Sequence, residues 1–124
     1  MHRNLSKIHQ LSENAYILSS GMLADRINLW KKLDETITLY EYKMGRKPDV
    51  HACAALVSNV LYGKRFFPFY TFNLVAGIDA NGKGVCYNYD AIGSHEAYGY
   101  GCQGSSKELM TSTLDNQLEG ICFF

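Results

Sequence analysis

Between Met22 and Met44, apolar residues recur at Leu23, Ile27, Trp30, Leu33, Ile37, Tyr40 and Met44. Steps of three and four place them in one stripe along a long amphipathic helix. Gly45 follows directly, as expected of a C-terminal glycine. A stripe of this length needs an apolar partner, so the helix must lie against another element of the chain.

The flanking segments supply that partner. Residues 6 to 19 read as two short strands, with Ser12-Glu13-Asn14 as the turn between them. Pro48-Asp49 opens a second helix, proline being suited to a first helical turn. Val50, Cys53, Val57, Val60 and Leu61 form its stripe, and Gly63 stops it. Tyr70 to Ile78 is a strand, Asp79-Ala-Asn-Gly-Lys83 carries the Asn-Gly hairpin signal, and Val85 to Tyr89 is the returning strand. A further strand is expected from about Glu96 to Cys102, and a third helix from about Ser106 to Leu118. Strands and helices are grouped rather than alternating. That order predicts an α+β fold with antiparallel sheet and helices in layers.

Composition narrows the function classes. The chain has 124 residues, 47% hydrophobic and 13% aromatic. That is enough for one domain with a packed core. Lys and Arg number 12, as do Asp and Glu. The balance gives no electrostatic case for nucleic acid or an anionic membrane. The purely apolar runs are only a few residues long, too short to span a bilayer. Cys53, Cys86, Cys102 and Cys122 include no C-x-x-C pair, and are expected to be reduced, mostly buried thiols of an intracellular protein.

Gly99-Tyr-Gly101-Cys-Gln-Gly104 is a literal G-x-G-x-x-G. A dinucleotide fingerprint also needs a parallel strand before the glycines and a β-α-β unit around them. Here a hairpin precedes, so a small nucleotide-binding module is the remote alternative. Ser105-Ser-Lys-Glu108 fits a capping box, with the Ser105 hydroxyl expected to accept from the Glu108 N–H. Gly99 and Gly101 are expected to let another group approach a strand closely. His51-Ala-Cys53 is the nearest thing to a metal pair, with no second pair to join it. His9, His51 and His95 are scattered and read as structural. Phe66, Phe67, Phe69, Tyr70 and Phe72 read as core and subunit contact rather than a base-stacking surface. No cofactor and no metal is expected.

From Leu61 to Ser94, "LYGKRFFPFYTFNLVAGIDANGKGVCYNYDAIGS" resembles the beta subunits of the proteasome core particle. The similarity lies in the Arg65-Phe-Phe-Pro68 link, the strand into Gly77-Ile-Asp79, the Gly82-Lys-Gly84 hairpin and the Tyr89 to Ser94 strand end. With Leu114-Asp-Asn-Gln117, it looks most like the non-catalytic beta type-1 class at the sixth ring position. The resemblance covers about residues 3 to 118.

What it implies follows from the family. The fold would be the α/β/β/α four-layer sandwich of the N-terminal nucleophile hydrolases, with 1–124 a single partial domain lacking its first and last elements. Active members attack with an N-terminal threonine assisted by a lysine. Lys7 aligns with that lysine, Ser105 with a serine near the threonine amine, and Gly21, after Ser19-Ser20, with the oxyanion-hole glycine. The threonine and its aspartate would precede Met1, and a later aspartate and serine would follow Phe124, so no catalytic residue is expected here. The implied role is structural. The implied partners are beta subunits of the same ring and of the opposite ring, and alpha-ring subunits. The implied location is the cytoplasm and nucleus. An active threonine peptidase subunit with its nucleophile segment elsewhere is the alternative. The tail Glu119 to Phe124 departs from the family.

Overall fold

The computed structural model describes residues 6–118. Ile8–Ser12 (β1) and Ala15–Gly21 (β2) form a hairpin about Glu13-Asn14, with a register irregularity between Gln10 and Ser12. Thr71–Ile78 (β3), Gly84–Tyr89 (β4) and His95–Tyr98 (β5) complete a five-stranded antiparallel sheet in chain order. Only the pairing of β2 with β3 is distant in sequence, and it spans the two long helices.

Those helices are Leu23–Met44 (α1) and Val50–Gly63 (α2). Gly45 ends α1 in the left-handed region, its N–H bonding the Glu41 carbonyl. The α1 stripe is rotated from the expected one. Arg26, Leu29, Leu33 and Ile37 are buried, whereas Ile27 is exposed, as is Met44. Arg26 takes the inward position because its long stem can pack while its guanidinium reaches the Ser19 carbonyl and the Trp30 ring. The Asp49 carboxylate caps the start of α2, accepting the Ala52 N–H at 2.8 Å. Such a cap satisfies a backbone donor that has no partner within the helix.

Both helices lie on one face of the sheet. Strand alternation turns Ala15, Ile17 and Ser19 of β2, and Thr71, Asn73 and Val75 of β3, toward them. Ile17 and Val75 meet Leu29, Leu33, Val57 and Leu61 in the core. A buried polar chain runs through it. Trp30 Nε1 donates to Ser19 Oγ (3.0 Å), Ser19 Oγ to Asn73 Oδ1 (2.7 Å), and Asn73 Nδ2 to Thr71 Oγ1 (3.1 Å).

The opposite face carries Tyr16, Leu18, Phe72, Cys86 and Asn88, and is only partly covered. β5 stops at Tyr98 rather than Cys102, because the chain turns back over this face and sets Gly101 against the Asn88 side chain. Lys107–Leu118 (α3) follows, tied by Cys102 Sγ to Thr111 Oγ1 at 2.9 Å. The layered α+β arrangement is the one expected. Among the described residues the strands form one sheet, and the second sheet implied by the resemblance is not built from them. Cys122 and the tail from Glu119 lie outside the described residues.

Of the five clustered aromatics, Phe69 is buried, while Phe66 and Phe67 are 87% and 82% exposed, so this link is not core. It connects α2 to β3. Arg65 instead stacks on Tyr62 and Phe66, and Lys64 on Phe69.

Candidate functional site

A cavity of about 520 Å³ opens where the start of β1, the end of β2, the start of β3 and the entry to α3 converge. Lys7, Gly21 and Ser105 all line it, together with Ser20, Tyr70, Phe72, Gln103 and Lys107. The three positions that the resemblance connects therefore share one site. A neighbouring cavity of about 270 Å³ shares Lys7, Ser20, Gln103 and Gly104, and adds Leu18 and Leu74.

Local geometry explains these placements. Lys7 precedes β1, and its carbonyl accepts the Ser19 N–H at 2.9 Å, so its backbone is tied to β2. Gly21 has φ +106°. A Cβ there would strike the Tyr70 carbonyl and lie 3.2 Å from Thr71 Cα. Only glycine therefore lets β2 turn into α1 at this point. The Met22 N–H bonds the Tyr70 carbonyl at 2.9 Å, and the Asp25 carboxylate accepts the Tyr70 N–H at 2.8 Å.

Ser105 is not the cap expected of it. The first turn of α3 is closed by Lys107 N–H to the Gly104 carbonyl (3.2 Å) and Met110 N–H to the Ser106 carbonyl (2.9 Å). The Ser105 hydroxyl makes no bond to Glu108, and the residue lines the cavity instead, because Gly104, at φ +128°, turns the chain before the helix begins. Lys107 and Gln103 were not singled out by sequence, and Tyr70 and Phe72 were read there only as part of the aromatic cluster. Only the adjacency of Lys107 to Ser105 could have drawn attention to it.

The remaining candidates are structural in their contacts. His9 Nε2 meets Asp34 Oδ1 at 2.8 Å and stacks on Trp30, joining β1 to α1. His51 Nδ1 meets the Tyr87 hydroxyl at 2.6 Å. His95 stacks on Tyr89 with centroids 5.0 Å apart. Cys53 is buried, and desolvation first, then the Asp49 charge, pushes its thiol up to about 12. Burial, then the neighbouring Cys102, also pushes up the Cys86 thiol. Cys53, Cys86 and Cys102 are all free thiols. Among the described residues no three His, Cys, Asp or Glu side chains converge as a metal site. Gly99 and Gly101 follow an antiparallel edge strand, so the β-α-β setting of a dinucleotide fingerprint is not present around them.

An antiparallel sheet with a long helix pair on one face, and Lys7, Gly21 and Ser105 at one cavity, defines a layered α+β fold of the proteasome-type N-terminal nucleophile class. The chain belongs to the proteasome subunit family, whose family model, described as "Proteasome subunit", matches residues 1–121. It is 45% identical over 119 residues to "Proteasome subunit beta type-1" of Arabidopsis thaliana, covering 96% of this chain and 53% of that protein. It is 47% identical over 116 residues to the protein of the same name from Dictyostelium discoideum, covering 94% and 49%. A third relative is "Probable proteasome subunit beta type-6" of Schizosaccharomyces pombe, 40% identical over 112 residues, covering 90% and 50%. The chain thus spans about half the length of the curated relatives it matches.

Proposed function

We propose that this chain is a structural, non-catalytic beta subunit of the proteasome core particle, acting in ATP- and ubiquitin-dependent protein degradation as part of the complex. The observation that carries the reading is its 43–47% identity to proteins named beta type-1 across most of its own length. Its partners are neighbouring beta subunits, beta subunits of the opposite ring and alpha-ring subunits, in the cytoplasm and nucleus. The exposed Phe66-Phe67 link and the partly covered sheet face supply apolar surface of the kind subunit contacts use. Lys7 and Ser105 keep their places at one cavity in this reading without a catalytic part.

The experiment is co-expression of the tagged chain with its neighbouring beta subunits, followed by native electrophoresis. Recovery of the tag in the core particle, with no added peptidase class, is the expected result. A tag that never leaves the monomer fraction overturns the reading.

A second reading has an observation of its own. The convergence of Lys7, Gly21 and Ser105 on one cavity is the arrangement an active threonine peptidase subunit would need around its nucleophile. An extended form beginning with a threonine and cleaving peptides with threonine-directed inhibition would favour it.

A further inference from the structure

Helix α3 is held to the rest of the chain by one thiol. None of its residues is buried, and Leu109 is 71% exposed. Among the described residues, the side-chain hydrogen bonds that join it to the rest of the chain are both made by Cys102. Its Sγ lies 2.9 Å from Thr111 Oγ1 and 3.5 Å from the Lys107 carbonyl. The Thr111 hydroxyl donates to that same carbonyl at 2.7 Å, so the thiol is the donor in both contacts. A sulfur without its hydrogen can make neither.

A second free thiol stands beside this clasp. Alternation along β4 puts Cys86 and Asn88 on the sheet face away from α1 and α2. Gly101 lies so close over the Asn88 carboxamide that a Cβ there would overlap it, and Cys102 is the next residue. Tyr98, directly opposite Cys86 on β5, lines one cavity of about 400 Å³ together with Asn88 and Cys102. The proximity is felt electrostatically: after burial, Cys102 is the second cause that raises the Cys86 thiol. A disulfide needs the two Cα atoms within about 7 Å. Two residues along a strand span about 6.6 Å, so a short slide of the fold-back along β4 brings Cys102 over Cys86. Gly99, Gly101 and Gly104 give the fold-back the freedom to make it. Cys53 is no competitor, being buried on the helix-covered side.

We propose that Cys86 and Cys102 form a dithiol–disulfide modification site whose reagent is a small disulfide such as oxidised glutathione, and that closing it releases α3. Cys102 lines two cavities and Cys86 neither, so the reagent meets Cys102 first. The Cys102 thiolate attacks one sulfur of the reagent and expels the other half as a thiolate. The Cys86 thiolate then attacks the Cys102 sulfur of this mixed disulfide and expels the second half. The protein loses two electrons and two protons, and the reagent leaves as two thiols. A reducing dithiol reverses the exchange and restores the clasp.

The test treats the full chain with oxidised glutathione, blocks the remaining thiols and maps it without reduction. Cleavage after Lys and Glu gives Gly84–Glu96 and Ala97–Lys107, with one cysteine in each. These two peptides are expected to be joined in the main product. Cys102 carrying glutathione alone, or joined to Cys122 or to a second chain, overturns the proposal. Hydrogen exchange across α3 reads the clasp. It is expected to quicken at least about fivefold on oxidation, the equivalent of one lost hydrogen bond of about 1 kcal/mol. A disulfide that leaves α3 exchange unchanged overturns the proposal. Cys102→Ser keeps a donor for Thr111 but cannot be oxidised, so its exchange should match the reduced chain with or without glutathione. Oxidant-driven release that persists in Cys86→Ser would assign the effect to the adduct and overturn the disulfide. Both readouts use the chain alone, so failure to join a core particle leaves them unaffected.

Discussion

The buried hydroxyl of Tyr89 donates a hydrogen bond to the backbone carbonyl of Ala54 across 2.5 Å. It joins β4 to the middle of α2, on the helix-covered face of the sheet. Tyr89→Phe keeps the ring and removes this bond. It is expected to cost about 1 kcal/mol, the usual net value of such a bond. Urea denaturation of the two forms measures it. An unchanged midpoint would show that Tyr89 contributes by packing alone.

Gly21 and Gly63 make a paired test of backbone requirement. An alanine at Gly21 would meet the Tyr70 carbonyl at a left-handed backbone position. Gly21→Ala is expected to destabilise by about 1–3 kcal/mol, the range for strained backbone positions. An alanine at Gly63 would meet nothing within 4 Å at the end of α2. Gly63→Ala is expected to be neutral or stabilising by up to about 1 kcal/mol. Thermal melts of both variants check the contrast, and equal losses would contradict it.

The thiol of Cys53 predicts an alkaline weakness. Its folded pKa is raised from 9.0 to about 12, so the folded state holds the proton after the unfolded state has released it. Its contribution is complete below pH 9 and is lost as pH rises from 9 towards 12. Burial raises the Tyr89 hydroxyl in the same direction. Denaturant midpoints are expected to fall above pH 9, and less steeply in Cys53→Ala. In native conditions near neutral pH, iodoacetamide should leave Cys53 unmodified by mass spectrometry.

Peptidase activity is expected to be absent. This is what the proposed non-catalytic role implies for the chain. Fluorogenic peptides with hydrophobic, basic and acidic cleavage preferences should give background rates. Turnover stopped by a threonine-directed epoxyketone would refute this.

How much of this was readable in the chain depends on the distance over which each feature is decided. Helix α1 was legible because its stripe and Gly45 are local signals, yet its rotation was not. Hydrophobicity alone favours Ile27 over Arg26, and only Ser19 and Trp30, brought by β2 and the next helical turn, make the arginine the better inward residue. The Gly82 hairpin was legible for the same local reason, with the Asp79 carboxylate accepting the Asn81 and Lys83 N–H groups. The Ser105 capping box failed because Gly104 redirects the chain before the helix starts. Lys7 and Ser105 could be paired through family likeness alone. Their shared cavity depends on β2 meeting β3 and on the fold-back at Gly101, neither of which has a local signature.

Self-association is expected of the isolated chain. Strands β1 and β5 are the sheet edges among the described residues, and unpaired edges template further pairing. Tyr16 and Tyr98 stay 40% and 51% exposed on the face opposite α1 and α2. Light scattering after size exclusion should report species larger than a single 124-residue chain. A sharp monomer peak with a cooperative melt would contradict this.

The polar chain from Trp30 through Ser19 and Asn73 to Thr71 acts as an error check on strand pairing. Apolar patterning already forbids a one-residue slip of β2 along β3, because every side chain would change faces. It is nearly blind to a slip of two, which returns each residue to its own face. In the native alignment Ser19 lies opposite Asn73. A slip of two would set Ser19 against Thr71 or Val75, and Asn73 against Ile17 or Gly21. Asn73 would keep Thr71 on its own strand, but its Oδ1 would be sealed in the core without the Ser19 donor, at a cost of about 1–3 kcal/mol. The few polar groups inside this core thus distinguish the correct pairing from its nearest counterfeits, which the surrounding hydrocarbon cannot tell apart.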